Sequence, residues 1–324
     1  MIADQLIGIT GGAGFMGTHL AMRLAEANRL KLLDINTKHN SINYTPLAEH
    51  PNVELIEGDI CDEAFVRREL AGCDTVVHLA ALLGVQKVVD NARQTMDTIV
   101  LGTRNVLQAA SQNGAIRRLV NVSTSEIYGN MTTWGEAAPA SIGAGNDPRM
   151  SYAAAKLLGE HMVWAYYRDV GCRVVNVRPF NVFGPMRRTN NAVGVFTIRA
   201  LRGEDLLIHG HGGQLRSLFY VYDFTDGMIA CLHREEAVGE DFNIGNSLTT
   251  CTVHDLASRI LRLTGSSSNL RFIEHPFSDM NVRAPSGEKA ERLLGYRAQV
   301  DIDEGLLKTI AWYQEHQEDF AHWL

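Results

Sequence analysis

Short, unbroken apolar runs recur through the first half of the chain, each followed by a stretch with helical spacing. Leu6-Ile7-Gly8-Ile9-Thr10 opens the series, and Gly17 to Ala27 carries apolar positions three and four apart. Further runs lie at Leu30 to Asp34, Val53 to Glu57, Thr75 to Leu79, Leu119 to Ser123 and Arg173 to Val177. A strand apolar at every position is buried on both faces, as in a parallel sheet covered by helices. Strand and helix in alternation predict an α/β fold, a doubly wound parallel sheet with right-handed crossovers. Ligands of such a sheet lie at the carboxyl ends of its strands.

After about Arg178 the rhythm loosens. Phe180 to Arg188 reads as turn-rich, glycines punctuate at 203 and between 210 and 213, and Thr252 to Leu263 and Asp303 to His316 read as helices. The expected organisation is a dinucleotide-binding domain over 1–178, with a return segment near 219–246. A smaller, irregular C-terminal substrate domain takes the rest of 179–324. Thr132 to Pro148, rich in glycine, alanine and proline, reads as a mobile loop.

Composition narrows the function. A chain of 324 residues is long enough for about two domains. With 45% apolar and 21% charged residues it is an ordinary globular chain, and a net charge of −7 argues against a nucleic-acid groove or a basic membrane face. No apolar run reaches the roughly 18 residues of a membrane span. The opening Met1-Ile2-Ala3-Asp4-Gln5 lacks the basic start of a secretory signal. The five cysteines, 61, 73, 172, 231 and 251, form no Cys-x-x-Cys pair. A reduced, cytoplasmic protein is expected. The twelve histidines show no His-Glu-x-x-His spacing, so no metal is expected.

Thr10-Gly11-Gly12-Ala13-Gly14-Phe15-Met16-Gly17 lies between the first strand and the first helix. Glycines there allow a tight turn whose N–H groups approach a pyrophosphate, which marks Gly11, Gly14, Phe15, Met16 and Gly17 as coenzyme residues. Asp34 ends the second strand, where a carboxylate accepts hydrogen bonds from a ribose 2′-hydroxyl and repels a 2′-phosphate, so NAD is favoured over NADP. Asp59-Ile60 follows the third strand and suits either an adenine contact or a helix N-cap.

Ser151-Tyr152-Ala153-Ala154-Ala155-Lys156 opens a helix, and residues four apart share a face, so Tyr152 and Lys156 point the same way. A phenol with an ordinary pKa of about 10 becomes a usable base when an ammonium favours its phenolate, at a cost of roughly 4 kcal/mol for three pH units. Ser123-Thr124-Ser125-Glu126-Ile127-Tyr128-Gly129 follows the next strand. Its hydroxyls suit a substrate alcohol or ketone; Glu126 is either a reacting carboxylate or a loop cap.

These segments resemble the extended short-chain dehydrogenase/reductase family, in its NAD-dependent nucleotide-sugar epimerase/dehydratase branch. The resemblance spans nearly the whole chain. It is also carried by His78-Leu79-Ala80-Ala81, Arg178-Pro179-Phe180-Asn181-Val182-Phe183-Gly184-Pro185, Gln214-Leu215-Arg216-Ser217, Phe242-Asn243-Ile244-Gly245-Asn246 and Arg283-Ala284-Pro285-Ser286. It implies NAD, held also by Leu79, Ala80 and Ala81, a nucleotide diphosphate sugar substrate, and a homodimer built on helices near Gln94–Asn113 and Tyr152–Asp169. Carried over, Thr124 holds the sugar C4 oxygen, Tyr152 removes its proton, and Lys156 binds the nicotinamide ribose. Asn181 and Arg216 meet the diphosphate, and Val195 to Arg199 with Leu207-Ile208-His209 form the nucleobase pocket.

The branches share C4 oxidation to a 4-ketone and then diverge. A 4,6-dehydratase needs a base at C5 and an acid at C6, roles open to Glu126 and Ser125. A decarboxylase releases the C6 carboxylate of a glucuronate, which is β to the new ketone. A 4-epimerase lets the ketone turn over and usually has a small residue where Glu126 stands. Ser-Thr-Ser-Glu most resembles UDP-glucuronate decarboxylases, although GDP-mannose 4,6-dehydratases share it, and Arg283 matches an arginine that the decarboxylases place near the sugar, or else serves the diphosphate alone. Ile99, Met186-Arg187-Arg188 and Leu218-Phe219 depart from the pattern. Two other classes compare less well: a non-catalytic NAD-sensing protein does not need Thr124, Tyr152 and Lys156, and a steroid or flavonoid dehydrogenase does not need Arg216 and Arg283.

Overall fold

The apolar runs become strands within one or two residues of their expected bounds. The structure, a computed structural model, describes residues 2–82, 84–112, 114, 116–129, 135–187, 191–274 and 282–320. The first six strands are β1 (Leu6–Thr10), β2 (Arg29–Asp34), β3 (Val53–Glu57), β4 (Thr75–His78), β5 (Arg118–Val122) and β6 (Val174–Pro179). The chain then leaves this sheet for β7 (Asn181–Phe183), β8 (Leu206–His209) and β9 (Leu215–Tyr220), and returns with β10 (Glu240–Ile244). The last strands are β11 (Thr250–Thr252), β12 (Leu270–Ile273) and β13 (Val282–Arg283).

The main sheet runs β10-β6-β5-β4-β1-β2-β3, every pair parallel. Strand order reverses between β1 and β4, and the crevice above that point is where such sheets bind dinucleotides. β4 and β5 are buried at every position because helices cover both faces. Those helices are α1 (Phe15–Leu24), α2 (Glu63–Glu69), α3 (Val85–Asp90), α4 (Ala92–Gln112), α5 (Ser151–Val170), α6 (Ala192–Leu201) and α7 (Val221–His233). α8 (Val253–Thr264), α9 (Glu288–Leu294) and α10 (Ile302–Glu315) follow in the C-terminal part. No helix among the described residues is long and apolar enough to cross a membrane.

The turn-rich stretch from Phe180 also holds a short strand: β7 pairs in parallel with β9, which belongs to a second sheet of β11, β9, β13 and β7. Of the loop expected at 132–148, residues 132–134 lie outside the described residues. The described remainder holds turns tied to distant segments, with Ser141 N donating to Ile127 O at 2.9 Å, Arg178 Nη1 to Glu136 O at 3.0 Å and Asn243 N to Glu136 Oε1 at 2.9 Å.

Buried polar groups set the register of the returning strand. Asn121, Asn176 and Asp241 occupy one rung across β5, β6 and β10. Asn121 Nδ2 donates to Asn176 Oδ1 at 2.8 Å, and Asn176 Nδ2 donates to Asp241 Oδ1 at 2.9 Å. Two residues along β6, Arg178 forks onto Glu160 of α5 at 3.0 and 2.7 Å and reaches Asp241 at 3.1 Å. A slip of one residue would strand all these groups, and removing one partner of a buried pair costs about 3–5 kcal/mol. Arg118 plays a related part for α7, donating to the carbonyls of Cys231, Leu232 and Arg234, which the end of a helix leaves open.

Two buried histidines make the fold sensitive to acid. His78 lies between the hydroxyls of Thr10 (2.7 Å) and Thr103 (3.1 Å); burial, helped by the charge of Lys156, lowers its pKa to about 3. His19 is lowered to about 4 by burial, although its Nδ1–H bond to Phe15 O (2.9 Å) works the other way. Between pH 6.5 and 4 the unfolded chain binds two protons that the folded chain refuses. Stability therefore falls as pH falls, by about 1.4 kcal/mol per pH unit for each histidine. His78→Gln is expected to reduce that slope by close to one proton; urea unfolding at pH 6.5, 5.5 and 4.5 measures it.

Candidate active site

The glycine-rich turn sits at the crossover of the sheet. Gly11 has φ +70°, and a Cβ on it would stand 2.9 Å from the Ala80 nitrogen, so β1 and β4 deliver their following residues side by side. A Cβ on Gly17 would stand 2.4 Å from Gly11 O, which is why α1 can start tight against the turn. Gly14 is the N-cap, so no capping side chain covers the first N–H groups of α1, and Phe15 and Met16 follow in its first turn. Leu79, Ala80 and Ala81 line the opposite side, after β4.

Asp34 closes the crevice at the end of β2, accepting from Ala13 N at 3.2 Å and Asn36 N at 3.0 Å. Burial pushes its carboxyl up while these backbone bonds pull it down. Asp59 is not the cap of α2: its Oδ1 accepts from Cys61 N at 2.8 Å, and Asp62 caps α2 through Ala64 N and Phe65 N. Ile60 is buried towards α4, with its carbonyl held by Asn105 at 2.9 Å. A dinucleotide fits this cradle: the uncapped helix start suits its pyrophosphate and Asp34 its ribose. Buried Ser123 Oγ, with no hydrogen-bond partner among the described residues, leaves a polar group for the nicotinamide end.

The residues expected to react lie just after β5 and on α5. Thr124 follows β5 and caps the short 3₁₀ turn Ser125–Tyr128, its Oγ1 accepting from Glu126 N at 3.2 Å. Its own hydrogen remains to be donated to a ligand oxygen. Tyr152 and Lys156 lie one turn apart in α5, which packs on that 3₁₀ turn. Lys156 is buried and donates to Val122 O, the last carbonyl of β5, at 2.7 Å. Burial lowers its pKa to about 8, and the nearby Glu160 carboxylate opposes that loss.

Glu126 is paired with an arginine. Its Oε2 accepts from Arg149 Nη1 at 2.7 Å, with the two side chains only 16% and 8% exposed. Arg149 belongs to the 3₁₀ turn Pro148–Met150, directly ahead of Tyr152. The motif reading missed it, although an arginine three residues before the tyrosine was a signal in plain view. Arg187, read only as a departure, is half-buried and stacks 5.5 Å over the Phe15 ring, with Val182 O accepting from it. Its carbonyl accepts from Tyr313 Oη at 2.7 Å, and the preceding Met186 turns with φ +63°.

The expected substrate residues gather on the second sheet and its surroundings. Asn181 begins β7 and donates to Ser217 O at 3.0 Å. Arg216 lies on β9, and β13 pairs in parallel with that strand so that Arg283 stands opposite Arg216. Val195 is in the first turn of half-buried α6, and exposed His209 ends β8, where its carbonyl accepts from Gln214 Nε2 at 3.0 Å.

Comparison with known proteins agrees with this architecture. Residues 7–245 match the NAD dependent epimerase/dehydratase family. The chain is 34% identical to the UDP-N-acetyl-alpha-D-glucosaminuronate decarboxylase of Bacillus cytotoxicus, across 96% of this chain and 98% of that one. It is 33% identical to UDP-glucuronic acid decarboxylase 1 of Xenopus tropicalis, across 97% of this chain and 73% of that one. Among solved structures, the dTDP-glucose 4,6-dehydratase DesIV of Streptomyces venezuelae, with NAD and TYD bound, superposes with a TM-score of 0.89 at 31% identity, covering 97% and 98% of the two chains. With its glycine turn, its Tyr152/Lys156 helix and this extent of likeness, the chain belongs to the NAD-dependent epimerase/dehydratase family of nucleotide-sugar enzymes.

Proposed function

We propose that the protein is a UDP-glucuronate decarboxylase-like enzyme, working through a transient 4-ketone. The observation that carries this reading is Glu126 on the same buried turn as Thr124, with Ser125 between them. A dehydratase must protonate a departing C6 hydroxyl, and the turn offers for this a serine and a carboxylate already paired with an arginine. Serine is too weak an acid, and arginine does not give up its proton. Loss of CO₂ needs no acid at the leaving group. The names of two relatives, both decarboxylases of uronate sugars, support the same choice.

Tyr152 Oη takes the proton of the sugar C4 hydroxyl while Thr124 donates to the same oxygen. Lys156, fixed against Val122 O, places a positive charge where phenolate is favoured. Gly11 to Gly17, Asp34 and the residues after β4 would hold NAD, which would supply the redox chemistry at C4. The ketone is then β to the C6 carboxylate. The C5–C6 bond breaks, its electron pair delocalises onto the ketone oxygen, and CO₂ leaves. C5 takes up a proton that comes from solvent, and Tyr152 returns its own to the oxygen at C4. Asn181, Arg216 and Arg283 are assigned to the diphosphate and the uronate, and Val195 and His209 to the nucleobase.

A homodimer through α4 and α5 is part of the proposal, supported by Met96, Leu101 and Leu158, large apolar side chains exposed on that helix pair. A cytoplasmic location fits five free thiols and a nucleotide-sugar substrate.

Three measurements test the reading. The NAD-containing protein incubated with UDP-glucuronate is expected to release CO₂ and yield a pentose product; Tyr152→Phe lowers the rate by about 10³-fold while coenzyme stays bound. Glu126→Ala lowers CO₂ release by about a hundredfold; an unchanged rate would remove Glu126 from the reaction, and a 4-epimer formed without CO₂ from the unaltered protein would point to epimerisation instead. Asp34→Asn reduces the preference for NAD over NADP by about tenfold in a fluorescence titration.

A further inference from the structure

Glu126 raises an electrostatic difficulty for the substrate just proposed. A uronate brings its own carboxylate to the turn that already holds one, and like charges a few ångströms apart in a poorly solvated site repel strongly. The structure supplies an answer in Arg149, which lies 2.7 Å from Glu126 and is almost as buried as any side chain in the core.

We propose that Arg149 is a positioning and specificity residue: it neutralises Glu126 and thereby admits a sugar whose C6 is a carboxylate. The proposal rests on the uronate reading above. Arg149 is itself held in place. Asp147 Oδ1 accepts from Arg149 N at 2.9 Å, and Ser151 Oγ donates to Pro148 O at 2.7 Å, so the turn runs without slack into α5. The ion pair joins the segment that carries Thr124 to the segment that carries Tyr152. The other titratable groups placed at this site, Tyr152 and Lys156, come from α5, and Lys156 is committed to Val122 O. A guanidinium stays charged throughout the working pH range, so Arg149 opposes the charge of Glu126 at any pH at which the enzyme works. A hexose with a neutral C6 hydroxyl meets the same walls but gains nothing from this neutralisation.

The decisive comparison is binding without turnover. In the Tyr152→Phe protein loaded with NAD, UDP-glucuronate and UDP-glucose are titrated by calorimetry, with Arg149 intact, as Arg149→Met and as Arg149→Lys. Arg149→Met is expected to weaken UDP-glucuronate by about tenfold or more and UDP-glucose by less than about twofold, and Arg149→Lys to restore most of the loss. Retained UDP-glucose binding also shows that the variant is folded. Equal losses for both sugars, or no loss for either, overturn the proposal. If the protein with Arg149 intact binds neither sugar, the uronate reading fails by itself. The ion pair is then judged by carbon NMR of labelled glutamates, with Glu126→Gln identifying the signal. Arg149→Met must shift the protonation midpoint of Glu126 upward by about one pH unit or more, and an unmoved midpoint overturns the proposal.

Discussion

A buried ammonium holds the reaction centre together. Lys156 reaches from α5 to the last carbonyl of β5, a bond that ties the helix carrying Tyr152 to the strand leading to Thr124. An unpaired charge at that depth would be expensive, which is visible in the fall of its pKa to about 8. Val122 O, together with the Glu160 carboxylate one turn further along α5, makes the position tolerable. The same charge bears on His78, which is kept neutral between two threonines beneath the coenzyme crevice. Catalytic geometry and core packing are therefore one arrangement here.

The Rossmann half could be read from the chain because its signals are local. An apolar run of five residues, a glycine turn and a helical repeat are each set by neighbours in sequence, and β1, α1 and β2 lie close to where those signals place them. Tyr152 and Lys156 were equally plain, since spacing on a helix fixes which residues share a face. The second sheet was harder. β7, β11 and β13 are two or three residues long and owe their existence to pairing with β9, a contact between distant segments that leaves no periodic trace.

The residues that escaped notice share that character. Arg149 and Glu126 are 23 positions apart and meet only because one 3₁₀ turn follows β5 and another precedes α5. Arg187 looked like a local irregularity until Phe15, Val182 and Tyr313 were seen around it. Asp59 misled in the opposite direction: an aspartate just before a helix has the composition of a cap, yet Asp62, three residues on, does that work. Buried charge pairing depends on which distant side chain arrives, and no single-sequence pattern records it.

The rung formed by Asn121, Asn176 and Asp241 reaches beyond register. Its third member arrives on β10, after the chain has already built β7, β8 and β9, so the sheet is sealed only when the polypeptide comes home from its excursion. Without that strand, β6 becomes the edge of the sheet, and Asn176 and Arg178 both lose Asp241 as an acceptor. A cut at residue 178 therefore parts β6 from the strand that completes its polar rung. The sheet beneath the coenzyme crevice is finished by the same stretch of chain that builds the second sheet.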